Sequence, residues 1–457
     1  MIVRKYKILL GLAVLLGFTH LGCQALSAET LNQALIEAYK SNPNLIAQRA
    51  KLRAVDEQVS QAVAKWRPTV TLSGLYGSKK LSRKSASGSE VDYTNQPQSI
   101  GIEVSQSVFR GYRTKAERER AENRVMGSRG ALMMTEQEIL GEVIKSYLSV
   151  LRDSAVLELR ENNIEVITQQ LNATRDRFEV GDLTRTDFAQ SESRLARAVA
   201  DRASAKADLL KSRAAYLNVV GHEPQKLIQP KLPENLPNTR QETIESAIIN
   251  HPNVIAALYS EKAARSNIDL IKGKLLPTVR VDASISRKED VVGSGVTDTA
   301  SEITARFSVP LYQSGAVYSG IREAKQIASQ RVSEVALRKR DVARIARESW
   351  ENYRVAKARI TSFKAAVRAQ EVAFEGVKQE AKVGSRTILD VLDAEQELMD
   401  TLVNLVSAQR NLIVSGYSLL SATGQLTAKG LRLDIDIYDP SQNLLLVRDK
   451  YYGSNLE

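Results

Sequence analysis

Two hydrophobic periodicities alternate along the chain. Residues 30–66 and 243–275 are rich in alanine, leucine and charged side chains and predict one helix each, and each stretch runs into a proline, Pro68 or Pro277. Beyond each proline the pattern changes to period two. Val70, Leu72, Gly74 and Tyr76 alternate with Thr69, Thr71, Ser73 and Leu75, and Ile100, Ile102, Val104 and Val108 alternate mostly with small or polar residues. Val279, Val281, Ala283 and Ile285 behave likewise, as do Ile303, Ala305, Phe307 and Val309. Alternation over about ten residues predicts strands with one apolar face, here about 69–78, 99–108, 278–287 and 301–309. The joining segments, 79–98 and 288–300, are rich in serine, glycine and charge and predict exposed hairpin loops.

Proline is then absent from Gln98 to Glu223 and from Leu311 to Asp439. Proline inside a helix costs about 3 kcal/mol, so both stretches are free to be helical. Leu398, Leu402, Leu405, Leu412 and Leu419 follow a coiled-coil-like spacing. Gly181 and Gly384 interrupt the two stretches and suit helix ends in the left-handed conformation. Gly111 to Phe178 then reads as one helix, bendable at Gly127, Gly130 or Gly141. At 1.5 Å per residue it reaches roughly 100 Å, so it must pack against neighbours.

The halves of the chain resemble each other. Asn42-Pro43 recurs as His251-Pro252, and Pro68 as Pro277, at an offset of 209. VGDLTRTDFAQSE at 180–192 recurs as VGSRTILDVLDAE at 383–395 at an offset of 203, which also relates Phe109 to Tyr312 and Gly221 to Gly424. The six-residue change falls between the prolines and these aromatics, where a hairpin loop tolerates it. A tandem duplication divides the chain into repeats at 29–223 and 241–424, a proline-rich linker at 224–240 and a C-terminal tail at 425–457.

Composition narrows the class. Arg4, Lys5 and Lys7 precede an apolar run from Ile8 to Phe18, with Ala25, Ser27 and Ala28 beyond it. Residues 1–28 therefore read as a cleavable secretory signal, too short to span a bilayer. Cys23 in LGC is the alternative of a lipid-attachment site, with His20 and Leu21 poor neighbours for it. Cleavage leaves a chain without cysteine, held by packing rather than disulfides. The formal charge of +11 could suit nucleic acid, but export and interspersed acidic residues favour solvated helix faces and no nucleic-acid partner. Of three histidines, His20 lies in the signal and His222 and His251 lie far apart. No zinc pattern, phosphate loop or nucleophile elbow stands out, so neither an enzyme nor a cofactor is expected.

The four strands have the length and alternation of outer-membrane barrel strands, about 9–11 residues. A sheet in lipid must close, and the smallest barrels have about eight strands. The chain must oligomerise: a dimer supplies eight strands, a trimer twelve. Trp66, Phe109, Tyr112, Phe307 and Tyr312 cluster at the strand–helix junctions, where an interfacial girdle would sit. A soluble periplasmic coiled-coil adaptor or scaffold would share the signal and long helices but has no use for lipid-facing hairpins. A passive porin would need many more strands per chain.

Asn42-Pro43, the Pro-to-strand junctions, VPLYQSG at 309–315 and, most specifically, VGSRTILDVLDAEQEL at 383–398 resemble the TolC family of outer-membrane efflux proteins over nearly the whole mature chain. The tail YDPSQNLLLVRDKYYG at 438–453 resembles alphaproteobacterial members. The resemblance implies a mainly α protein with a small β part: a homotrimer whose twelve strands form one transmembrane β-barrel, with a long α-helical coiled-coil barrel extending from the cell outer membrane into the periplasm and an equatorial region around its middle formed by 224–240 and the tail 425–457. It implies an export duct for efflux or type I secretion, working with a periplasmic adaptor and an inner-membrane ABC or proton-driven pump. The helix tips would gate it. Asp390 and Asp393, three apart at a helix start, share a face; in a trimer six carboxylates would crowd one axis and raise some of their pKa values, unless they only cap the helix. The first repeat has Asp187 and Gln190 there, and Leu183 where the second has Arg386. The resemblance assigns Arg386 and Asp187 to contacts that hold the channel shut, and makes Val180, Gly181, Leu183, Val383 and Gly384 the tips that meet the adaptor. One departure is Ala381, where the family's best-known member carries a tyrosine.

Overall fold

A computed structural model describes residues 28–291 and 295–455. The expected signal segment and Cys23 lie outside the described residues.

Helix α1 (Leu31–Ser41) starts at Thr30, whose hydroxyl accepts from the Gln33 N–H while the Gln33 side chain returns to the Thr30 backbone. It stops at Asn42, held extended before Pro43. The same Asn42 then caps α2 (Pro43–Ala64), accepting from the Asn44 N–H at 3.0 Å. The second repeat copies this device: α5 (Arg240–Asn250) ends at His251, which caps α6 (Pro252–Lys272) by accepting from the Asn253 N–H at 3.2 Å. The single helices expected at 30–66 and 243–275 are therefore each two, because proline lacks the N–H and its ring displaces the preceding turn.

Strands β1 (Thr69–Tyr76), β4 (Gln98–Arg110), β5 (Thr278–Glu289) and β6 (Thr297–Ser308) form one antiparallel sheet in the order β1-β4-β5-β6. Its register gathers the apolar residues. Val70 faces Val104, Leu72 faces Ile102, Ile102 faces Ile285, and Ala283 faces Ile303. That face is open, with Leu72 68% and Ile303 81% exposed. Between β1 and β4, where the sequence predicts a loop, β2 (Lys79–Lys84) and β3 (Glu90–Asn95) form a separate two-stranded ladder. Its strands carry charge on both faces, which hides them from a search for one apolar side.

Each sheet half feeds a long hairpin. α3 (Arg113–Glu179) and α7 (Ala316–Lys382) have 67 residues each, about 100 Å at 1.5 Å per residue. α4 (Arg185–Val220) and α8 (Ile388–Ala422) run back along them. α3 is continuous through Gly127, Gly130 and Gly141. Helices α2, α3, α6 and α7 pack side by side in the same order as the strands they join. None of the described helices is long and apolar enough to cross a membrane.

At the sheet–helix junction Gly111 lies against Gly273. A Cβ on either would fall 2.3–2.4 Å from the other's carbonyl oxygen, so only glycine allows the contact. Along α4 the buried residues Ser191, Ala198, Ala205 and Ser212 recur every seven positions, a small-residue seam. On α8 the leucine seam read from sequence is only half-buried apart from Leu419; Ile388, Val391, Leu392 and Met399 lie deepest near its start.

The main core forms where α1–α4 and α8 meet residues 426–433, around Tyr147 and Tyr216. Tyr216 donates to the buried Glu29 carboxylate, Tyr147 bonds the Ile228 carbonyl at 2.7 Å, and Glu29 bridges in parallel to Leu227. These bonds pin the proline-rich linker. The tail, including α9 (Gln442–Val447), lies along α2.

Candidate functional site: the helical tips

Both hairpins turn with the same chemistry. Gly181 and Gly384 have φ of +81° and +80°, and no atom lies within 4 Å of where a Cβ would stand on either, so conformation rather than crowding demands glycine. The Asp182 N–H donates to the Arg177 carbonyl at 2.9 Å, and Ser385 to Glu380 at 3.0 Å. These six-to-one bonds satisfy the last helix carbonyls, as in a Schellman end. Thr184 and Thr387 then cap α4 and α8 with reciprocal boxes completed by Asp187 and Asp390. Val180 and Val383 stand 80% and 81% exposed, placing an apolar side chain beside each glycine.

Asp187 and Asp390 are thus both helix-capping carboxylates. The Thr387 N–H, and then its hydroxyl, hold Asp390 below the usual carboxylate range, with the Arg386 charge acting in the same direction. Within one chain this is opposite to the rise expected from crowded aspartates. Both capping bonds use Oδ2, at 2.9 and 2.8 Å. Asp393, one turn on, pairs with Arg194 of α4. The structure does not bring Arg386 to Asp187: Arg386 Nε bonds Glu380 at 2.9 Å, inside its own tip, because the Schellman turn folds it back over the end of α7. The first tip reverses the polarity, with Arg177 on the helix bonding Asp182 in the turn at 2.7 Å. Leu183 occupies the place of Arg386.

Sequence reasoning missed the ties between hairpins. Seven residues beyond the Arg194–Asp393 pair, Arg160 of α3 lies 3.5 Å from both Asp201 of α4 and Asp400 of α8. The partners that cross between hairpins are 199 and 240 residues apart, and only the repeated heptad from 194 to 201 and from 393 to 400 hints at them. Glu395 was missed as well. It is 7% exposed on α8, and burial pushes its carboxyl up to about 7, the Lys378 charge only partly opposing this. At position 178 a phenylalanine takes the repeat-equivalent place of Ala381 and stacks on Phe188 at 5.6 Å, so the tip aromatic belongs to the first hairpin.

Comparison with known proteins agrees with this architecture. The family model described as outer membrane efflux protein matches residues 34–222 and 243–425, one match for each repeat. The outer membrane efflux protein BepC of Brucella suis is 34% identical over 98% of this chain and 96% of its own length. The outer membrane protein TolC of Escherichia coli is 24% identical over 92% of this chain and 87% of its own. The crystal structure of the Campylobacter jejuni CmeC outer membrane channel superimposes with a TM-score of 0.79 at 14% identity, covering 93% of this chain and 90% of that one. An apolar sheet face, long paired hairpins, an internal repeat and these matches together place the chain in the outer membrane efflux protein family, as a TolC-type outer-membrane channel that reaches into the periplasm and not a soluble adaptor.

Proposed function

We propose that three copies of the chain close one twelve-stranded barrel and one helical tunnel, an export duct gated at its periplasmic tips. The observation that carries this reading is the four-stranded sheet with an exposed apolar face and, among the described residues, an outer edge on β1 and on β6. Lipid forbids open edges, and four strands are too few to close. The helices repeat the strand order, so joining β6 to the next copy's β1 also joins α7 to its α2.

At the tips, Asp390 and Asp393 ring the constriction, and Arg386 and Asp187 contribute to the contacts that keep it shut. Capping occupies only Oδ2 of Asp390, which leaves Oδ1 for the axis. Val180, Gly181, Leu183, Val383 and Gly384 form the surface that meets a periplasmic adaptor, which in turn links the duct to an inner-membrane pump of the ABC or proton-driven class. Exposed valines beside side-chain-free glycines suit close helical contact.

Conductance across planar lipid bilayers tests the gate. Asp390→Ala/Asp393→Ala should lose block by divalent and trivalent cations, for which crowded carboxylate oxygens are a hard-ligand site. Full block in that variant would reduce the aspartates to caps and pair partners. A monomer mass in detergent would overturn the trimer.

A further inference from the structure

We infer that the C-terminal tail extends the aromatic girdle expected at Trp66 and Tyr112 into a docking surface for phospholipid headgroups at the periplasmic rim of the barrel. The inference rests on the membrane placement of the sheet and goes beyond the channel reading, which expects the tail only in the equatorial region.

The tail climbs α2 towards the sheet. Asn443 donates to Asp56 at 2.9 Å, Ser60 to the Val447 carbonyl at 3.0 Å, and Arg67 to the Lys450 carbonyl at 2.8 Å. The anchor points advance from residue 56 to residue 67, and β1 begins at Thr69. The Arg67 guanidinium sits 3.9 Å from the centroid of the Tyr451 ring. The tail is thus held largely by its backbone, and Tyr451 and Tyr452 remain 77% and 90% exposed at the foot of the sheet.

The side on which they lie is fixed by contacts. Gln106 shares the β4 face of Ile102 and Val104, the apolar one, and donates to the Trp66 carbonyl at 2.8 Å. Past the bulge between Ser107 and Phe109, Phe109 stands opposite Val279 of that same face and meets Tyr112 edge-on at 5.2 Å. Trp66, Val108, Phe109 and Tyr112, with Lys115 and Arg118, line a cavity of about 290 Å³. Arg67, the residue after Trp66, holds the Lys450 carbonyl and the Tyr451 ring, which brings the tail beside this cavity. Tail and aromatic cavity therefore belong to the lipid-facing side.

Exposed tyrosine and tryptophan beside cationic side chains match the chemistry of a headgroup layer. The rings take the apolar boundary with their polar tips in water, and Arg67, Lys115 and Lys450 offer positive charge to phosphates. Continuity with the apolar strand band selects lipid as the occupant rather than a neighbouring copy.

The test places a fluorophore on Tyr452→Cys, in a Cys23→Ser background, in the assembled protein reconstituted into phosphatidylethanolamine/phosphatidylglycerol bilayers. The bilayers carry a spin label either on the headgroup or at mid-chain. Val281→Cys on the apolar sheet face and Ser385→Cys at a tip serve as references. The headgroup label should quench position 452 more strongly than the mid-chain label does, and position 281 should show the reverse order. Position 452 behaving like the tip, quenched by neither, overturns the inference while leaving the channel reading intact. A blue-shifted emission at 452 that neither label quenches places the tail against a neighbouring copy and also overturns it. Loss of quenching at 281 as well removes the sheet from the bilayer, and both readings fall.

Discussion

Glu192 and Glu395 occupy equivalent places in the two repeats, eight residues into helices that begin with the same Thr-capped turn, yet one is exposed and the other is 7% exposed. The turn itself was copied faithfully: glycine at positive φ, six-to-one bond, threonine cap, aspartate box. The packing beyond it was not. Near its start α8 buries Ile388, Val391, Leu392 and Met399, whereas α4 buries Ser191 and Ala198. Larger apolar side chains draw α8 down onto its neighbours and take Glu395 under with them. Local backbone chemistry survives duplication because it depends on a few residues at fixed spacing, while burial depends on what lies opposite and is free to diverge.

The largest test of this contrast uses pH. Unfolded, Glu395 ionises near 4.5; folded, it keeps its proton until about 7. The stability it permits is full below 4.5 and is lost as pH rises through 7. Glu395→Gln should remove that loss and stabilise the second hairpin by roughly 3 kcal/mol at pH 8, from about 1.4 kcal/mol per pKa unit. Glu192→Gln should do nothing. Hydrogen exchange of the amides in α4 and α8 reads both, and equal responses would dissolve the distinction between the repeats.

A smaller effect should instead be shared. Gly181→Val and Gly384→Val each force a branched residue into a left-handed turn, at about 1–2 kcal/mol. Export should fail in both while the protein stays in the outer membrane, as fractionation and transport assays would show. Tolerance at one tip alone would restrict the proposed adaptor surface to a single hairpin.

The smallest effect on stability concerns the reversed ion pairs. Both are solvent-exposed and contribute little to folding. Arg386→Ala should nevertheless raise resting conductance in planar bilayers, and Arg177→Ala should not, since only Arg386 stands in the turn and can reach beyond its own hairpin. Identical conductance changes would place the closing contact elsewhere, with the Phe178–Phe188 stack the next element to alter.

Much of this was legible in the sequence because it is written in short-range signals. Period-two alternation located the four sheet strands, and proline-free stretches interrupted at Gly181 and Gly384 located the long hairpins. Where signals conflicted, reading erred. Alanine and leucine on both sides of Asn42-Pro43 suggested one helix, although the proline at a helix start demanded two. On the β2–β3 ladder Leu81 and Val91 share a face with Lys79 and Arg83, so no unbroken apolar alternation separated it from a loop. The Asp390 cap could be read from TILD, but Arg194–Asp393 and the Arg160 bridge join residues across repeats and leave no local trace. Glu395 looks like Glu192 until its neighbours are known.

The equal length of α3 and α7 has a consequence for how such a chain can change over generations. Each is a ruler set from the same membrane-side baseline, and one inserted residue would displace its tip by about 1.5 Å and swing it by about 100°. A lone insertion in either repeat would leave one hairpin out of step with the other at the far end. Insertions and deletions should therefore be purged from both rulers, or accepted only in matched sets. The segment between β1 and β4 carries no such duty, and it is there that the first repeat holds a whole extra ladder. Length variation among descendants of this chain is steered to the end of the molecule farthest from the helical tips.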